Sequence, residues 1–187
     1  MYYTGIGSRR TPKDVLEMFT HLGEWLGARG YILRSGGANG ADSAFEYGCN
    51  QVFGGKEIYL PWKGFNNNGS PLYNVGPRAI SMAREFHPAW DRLSDAGKLL
   101  MARNVYQLFG TGIEDDVGDS PISSFVICYT DGGKIVGGTA QAIRIAQKYD
   151  IPVFNAGMYD DIQKCKHAFN YFWKVHGSSI SKKGSGV

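Results

Sequence analysis

A chain of 187 residues, 43% hydrophobic and 20% charged, holds enough apolar material for one domain with its own core. A formal net charge of +3 permits anionic ligands but is too small to argue for nucleic acid by itself. Cys49, Cys128 and Cys165 are odd in number and far apart, which excludes a zinc spacing and a disulfide framework; no run approaches the roughly 20 apolar residues that span a bilayer.

The first strand is expected over Tyr2 to Ile6, followed by a turn at Gly7-Ser8-Arg9-Arg10. Thr11-Pro12-Lys13-Asp14 reads as a helix start: Thr as the cap, Pro in the first position, Asp in the first turn. Val15, Phe19, Leu22 and Leu26 recur at helical spacing until Gly30 stops the helix. Tyr31 to Ser35 predicts a second strand. Ser35-Gly36-Gly37-Ala38-Asn39-Gly40-Ala41-Asp42 then turns into a second helix. Lys56 to Pro61 predicts the third strand.

A helical insertion follows over about 64–100. Gly64 to Pro77 is an Asn- and Gly-rich loop, Arg78 to Glu85 a short helix, and Ala89 to Phe109 a further helical segment. An acidic loop runs from Gly110 to Pro121. The apolar, β-prone run Phe125 to Tyr129 predicts a buried central strand. Thr130 to Gly138 is another Gly-rich turn, with a helix over Thr139 to Tyr149. Ile151 to Phe154 is a last strand, and Ile162, Cys165, Phe169 and Phe172 mark a closing helix. The tail from Gly177 to Val187 reads as disordered.

Strands alternating with helices predict a single α/β domain: a Rossmann-like parallel sheet covered by helices on both faces. Ligands of such sheets bind beyond the carboxyl ends of the strands, where the three Gly-rich turns lie. A Gly-rich turn into a helix presents N–H groups and a positive partial charge, which suits phosphate. On this reading Ser35, Gly36, Gly37, Ala38, Asn39 and Gly40 cradle phosphate, and a bulky residue at Gly37 abolishes binding while leaving the fold intact. The alternative is a tight connection that needs glycine for geometry alone. Asp42 reads as structural, offsetting the helix dipole. Gly7 and Ser8 let a ligand approach the backbone, and Arg9 or Arg10 bonds phosphate unless both are solvated. Gly137, Gly138 and Thr139 open a helix with donors, and Thr130 or Asp131 bonds a ribose hydroxyl. The Gly-Lys-Ser/Thr order of an NTPase loop is absent. Trp62 stacks a base or joins the core. Arg103 and Asn104 lie within a helix, where a lone Arg is usually solvated. His21, His87, His167 and His176 have no metal spacing, so neither metal nor cofactor is expected.

These motifs, in this order over most of residues 1 to 155, resemble the SLOG superfamily of Rossmann-like nucleotide-binding domains. Ser35 to Asp42 is similar to its Ser-Gly-Gly-Ala-x-Gly-x-Asp, Arg103-Asn104 to its Arg-Asn helix start, and Gly137 to Ala140 to its Ser-Gly-Thr/Ser-x-Thr-Ala segment. The insertion looks most like short, stand-alone, DprA-like members encoded by phages and bacteria. The three dispersed cysteines fit a reducing cytoplasm, which is the host cytoplasm if the protein is viral. The resemblance also implies a homo-oligomer formed through helices beside the site, for which Trp90, Leu99, Leu100 and Tyr106 are candidates if they are not core.

LOG-like hydrolases of this superfamily carry a glutamate after their Gly-Thr. Here Gln141, Ala142 and Ile143 follow Thr139-Ala140. The missing carboxylate predicts a binder without rapid turnover, and the resemblance implies a nucleotide or nucleotide-derived ligand, cyclic and ADP-ribose-like forms included, with sequestration of an immune signal as the role of a phage-encoded member. An N-glycosidic hydrolase or transferase is the first alternative, with Arg103 as its arginine and Glu114, Asp115 or Asp116 as a substitute carboxylate. A single-stranded DNA mediator is the second, if Arg9, Arg10, Arg34, Lys63, Arg78 and Arg103 cluster.

Overall fold

In the computed structural model, which describes residues 1–115 and 121–177, five strands lie in one parallel sheet. They are β1 (Tyr2–Gly7), β2 (Ile32–Ser35), β3 (Lys56–Ile58), β4 (Val126–Tyr129) and β5 (Val153–Asn155), in the order β3-β2-β1-β4-β5. Tyr2 pairs with Ile32, Thr4 with Val126, and Val126 with Val153. Six α-helices connect them: α1 (Lys13–Gly27), α2 (Ala41–Gln51), α3 (Pro77–Phe86), α4 (Asp95–Phe109), α5 (Gly138–Lys148) and α6 (Ile162–Phe172). The expected α/β, Rossmann-like single domain is the observed one. Asp116 and the tail beyond Gly177 lie outside the described residues. No described helix is long and apolar enough to cross a membrane.

Strand alternation sorts side chains onto two faces. Tyr3, Leu33, Ile127 and Phe154 join residues of α1, α2 and α6 in one apolar cluster. Ile6, Val126 and Cys128 join residues of α3, α4 and α5 in the other. The segment expected as an insertion therefore supplies a covering layer, with α4 directly on the sheet. Trp90 and Tyr106 are buried in that second core, and Leu99 and Leu100 are partly buried.

Several boundaries differ from expectation for local reasons. Thr11 does not cap α1: its hydroxyl donates to the Ser8 carbonyl (2.7 Å), and Pro12 holds the cap position. Strand β3 is short because Leu60 gives its N–H to Leu72 in the following loop (2.8 Å). The segment 89–109 is not continuous. A 3-10 turn at Trp90–Arg92 ends in extended Leu93, and the Ser94 hydroxyl then caps α4 by accepting from Gly97 N–H (3.2 Å).

Helices α1 and α2 pack backbone to backbone. A Cβ on Gly48 would lie 1.9 Å from the Thr20 carbonyl oxygen, and one on Gly23 would lie 2.4 Å from that of Phe45. Gly48→Ala is therefore expected to destabilise the protein by about 2 kcal/mol, the strain of separating two helices exceeding alanine's gain in helix propensity. Urea unfolding measures this, and an unchanged midpoint would refute the close approach.

Candidate functional site

The chain runs from β1 outward to β2 and β3, then returns to the other side of β1 to form β4 and β5. The strand order reverses between β1 and β4, and crevices beyond the carboxyl ends of strands form at such points. A cavity of about 580 Å³ lies here. Gly7, Ser8, Arg9 and Arg10 reach it from the end of β1, and Thr130 and Asp131 from the end of β4. The start of α5 contributes Val136, Gly137, Gly138 and Thr139, and α4 contributes Leu100, Met101, Arg103, Asn104 and Gln107.

Asp42 ties the loops of this site together. It is 2% exposed. One carboxylate oxygen accepts from Gly7 N–H (3.0 Å), the other from Gly36 N–H (3.1 Å) and Ala38 N–H (3.4 Å). The second oxygen also lies 3.7 Å from Arg103 Nη1. Burial pushes the Asp42 carboxyl above its ordinary value, against the opposing pull of Arg103 and the three N–H groups. From the first turn of α2, this side chain ties the end of β1 to the turn after β2. Two N–H groups of the glycine-rich turn, those of Gly36 and Ala38, are thus engaged by the protein's own carboxylate.

Arg103 is buried, 6% exposed, rather than solvated. It sits in the interior of α4, not at a helix start. Its guanidinium occupies the space beside Gly36, where a Cβ would lie 1.2 Å from Nη1. That close approach explains the glycine. With its amide oxygen turned toward Arg103, Gln107 accepts from Nη1 and from Gly36 N–H (3.0 Å) and donates to Asn104 Oδ1 (3.1 Å). Asn104 Nδ2 donates in turn to the Gly138 carbonyl (2.9 Å). One polar chain thus runs from Asp42 on α2 through α4 to the start of α5. Burial lowers the Arg103 pKa, Asp42 opposes this, and nearby Arg9 adds to the lowering.

The two helix starts differ. At α2 the first N–H groups face carbonyls of the chain: Ala41 N–H points to that of Ser8 (3.4 Å) and Ser43 N–H donates to that of Ala38 (3.1 Å). At α5 the cap is Gly137, at φ +79°, which supplies no side-chain bond, and Gly137 and Gly138 are exposed in the cavity wall. N–H groups at such a start favour an anion.

Of the residues expected at the site, the cavity gathers Gly7, Ser8, Arg9, Ala38, Arg103, Asn104, Thr130, Asp131, Gly137, Gly138 and Thr139. Ser35, Gly36, Gly37, Asn39, Gly40 and Trp62 do not line it. Ser35 is fully buried and donates to the Gly5 carbonyl (2.6 Å). Gly37 has φ +64°, and a Cβ there would lie 2.7 Å from Leu60 Cδ2, so a bulky residue at Gly37 would not leave the fold intact. Trp62 stands edge-on to Phe65, with ring centres 5.2 Å apart. The Thr130 hydroxyl accepts from Asn155 Nδ2 (2.7 Å).

The expected cationic cluster is divided. Arg34 is buried in β2, paired with Glu57 (2.7 Å) and bonded to the carbonyls of Leu108 and Pro121. Arg78 bonds the Ile113 and Asp115 carbonyls at the start of α3. Among the cavity residues the cations are Arg9, Arg10 and Arg103.

The expected substitute carboxylates lie elsewhere too. Glu114 accepts from Arg78 N–H (3.1 Å), Ala79 N–H (2.9 Å) and the Tyr106 hydroxyl (2.8 Å), and neither it nor Asp115 lines the cavity. Gln141 is buried and donates to the Ala83 carbonyl in α3 (2.7 Å). No group of three or more His, Cys, Asp or Glu among the described residues is placed to hold a metal ion.

Sequence reasoning missed Ile6, Leu100, Met101, Gln107 and Val136 as cavity residues. One signal for Gln107 was present: it lies four residues after Arg103, on the same helix face. No protein-family model, curated protein or solved structure matches the chain.

Proposed function

We propose that this chain binds a nucleotide or a nucleotide-derived anion in the cavity between β1 and β4, and holds it intact. The observation that carries this reading is the start of α5, exposed without a side-chain cap in the same cavity as Arg9, Arg10 and Arg103. Phosphate fits the open helix start, and guanidinium groups complement it by paired hydrogen bonds. Leu100, Met101 and Val136 offer apolar surface to a base or sugar in the same space. The resemblance of the motifs to the SLOG superfamily supports the same class of ligand.

Retention without turnover rests on the carboxylates. The cavity has two, Asp42 and Asp131. Asp42 is committed to three N–H groups and Arg103. A glycosidic cleavage lacking its acid/base partner loses ~10²–10⁴-fold in rate. Asp131, exposed in the cavity wall, favours the alternative of slow N-glycosidic hydrolysis.

Incubation of excess protein with AMP, NAD, ADP-ribose, cyclic ADP-ribose isomers and cyclic dinucleotides, followed by mass spectrometry, separates the two. A compound depleted from the filtrate and returned intact on heating supports binding. Free base and sugar phosphate establish hydrolysis, and no depletion of any compound refutes both.

Gly138→Asp tests the anion seat itself. A Cβ at Gly138 meets only Met101 Cε, at 3.6 Å, and an acid at the first position of α5 suits its dipole. The fold is expected to keep its stability while affinity for the phosphorylated ligand falls roughly 10- to 100-fold, since like charges are brought together. Isothermal titration measures this, and unchanged affinity would move the phosphate away from α5.

A further inference from the structure

Resting on the nucleotide reading above, we infer that Thr130 and Asp131 together recognise a sugar hydroxyl of the ligand, Thr130 as donor and Asp131 as acceptor. The cavity then selects ribonucleotides over their deoxy counterparts.

The role of the Thr130 hydroxyl is fixed from behind by Asn155. Cys128 and Asn155 are in register across β4 and β5, so the Asn155 side chain stands on the α5 face of the sheet. Strand alternation sends the extended Thr130, two residues after Cys128, to the same face. Asn155 Oδ1 accepts from two backbone donors, Thr130 N–H (3.1 Å) and Gly157 N–H (3.1 Å). These donors require the amide oxygen on their side, which leaves Nδ2 facing Thr130 Oγ1, 2.7 Å away. An amide nitrogen only donates, so Thr130 Oγ1 is the acceptor of that bond and its own proton must go elsewhere. Among the described residues no acceptor takes it. Thr130 is 3% exposed and lines the cavity. A buried donor of this kind calls for a partner that the chain does not itself supply.

Asp131, the next residue, is exposed in the same cavity wall. Its carboxylate only accepts. A phosphate oxygen would bond Thr130 but meet the negative charge of Asp131. An ammonium group would suit Asp131 and leave Thr130 unpaired. A hydroxyl accepts and donates at one atom and so serves both neighbours. The other parts of a nucleotide have their own surfaces in this cavity. Phosphate has the open start of α5 with Arg9, Arg10 and Arg103, and the base has Leu100, Met101 and Val136. The sugar, which joins base to phosphate, is what remains for the end of β4.

Equilibrium dialysis of the full chain with AMP, 2′-deoxy-AMP and 3′-deoxy-AMP tests this, beside Thr130→Val and Thr130→Ser. The wild type is expected to hold AMP about 10-fold more tightly than one of the two deoxy analogues, the difference that one well-bonded hydroxyl makes. Thr130→Val, similar in shape but without the hydroxyl, should lose roughly 5-fold toward AMP and nothing toward that analogue. It also leaves Asn155 Nδ2 unpaired, but any harm from that falls on all three nucleotides alike and leaves their ratio unchanged. Thr130→Ser restores the hydroxyl and should restore the preference. Equal affinity of the wild type for all three nucleotides, or a Thr130→Val loss shared equally among them, would overturn the inference and leave the nucleotide reading standing. No retention of any of the three by the wild type would overturn both.

Discussion

Arg103→Met is expected to lower the unfolding free energy by about 3 kcal/mol at neutral pH and to abolish binding of the phosphorylated ligand. The substitution keeps apolar bulk along α4 but leaves Asp42 buried without its cation. Removing one partner of a buried pair costs more than the pair itself contributes, because the remaining charge has neither water nor a counter-charge. The three N–H groups that still reach Asp42 keep the loss at the lower end of the usual range.

The pH dependence of that loss has a definite sign. Burial holds the Asp42 pKa above its ordinary value, so the folded protein binds this proton more tightly than the unfolded chain. The contribution of Asp42 to stability is therefore fully present below its unfolded pKa and declines as pH rises through its folded pKa. Arg103 acts against this shift, pulling the Asp42 pKa down, so its stabilising effect grows as Asp42 ionises. The cost of Arg103→Met should be largest well above the raised Asp42 pKa and shrink as pH falls through it, where the carboxyl takes its proton. Urea unfolding of both proteins across that titration measures the difference. A cost independent of pH would mean that the ion pair is not what Arg103 supplies.

The sheet was legible because its signals are local. Apolar runs such as Phe125 to Tyr129 and glycine punctuation at Gly30 lie within a few residues of the structure they specify. The break at Leu93 was harder, since Leu93, Leu99 and Leu100 suggest one helical stripe until Ser94 is recognised as a cap. The sequence brought many of the cavity's residues into view, such as Gly7, Arg103 and Gly138, but not how they divide their partners. The stretch Ser35 to Asp42 carries the residues of a phosphate cradle, and periodicity alone does not show that Gly36 makes room for an arginine 67 residues later. The local half of the signal was Asp42, the second residue of α2 and four residues after Ala38, whose N–H it accepts. The distant half was Arg103, a charged residue between buried Ala102 and Asn104 on a helix whose next turn carries Gln107. Such pairings arise from tertiary packing, where a short glycine run serves a ligand and a neighbouring side chain equally well.

Gly36→Ala is expected to reproduce Arg103→Met, which makes the pair a test of the whole arrangement. A methyl group at Gly36 would stand 1.2 Å from Arg103 Nη1 and 2.3 Å from the Gln107 amide. The backbone at Gly36 is bonded to Asp42 and bordered by β2, so the guanidinium is the part that yields. Its displacement separates Arg103 from Asp42 and from Gln107, and removes one cation from the cavity wall. The single substitution should cost about 3 kcal/mol, for the same reason as Arg103→Met. Methionine ends short of the guanidinium position, so in the Arg103→Met background the added methyl group meets only the Gln107 amide, the end of a flexible side chain that can turn aside. The double variant should then be little worse than either single variant, with a coupling of roughly 2–3 kcal/mol in the cycle. Urea unfolding of the four proteins gives the stability cycle, and equilibrium dialysis with whichever nucleotide of the proposed panel is depleted gives the matching affinity cycle. Additive losses would show that Gly36 is required for something other than Arg103, and would return that glycine to direct contact with the ligand.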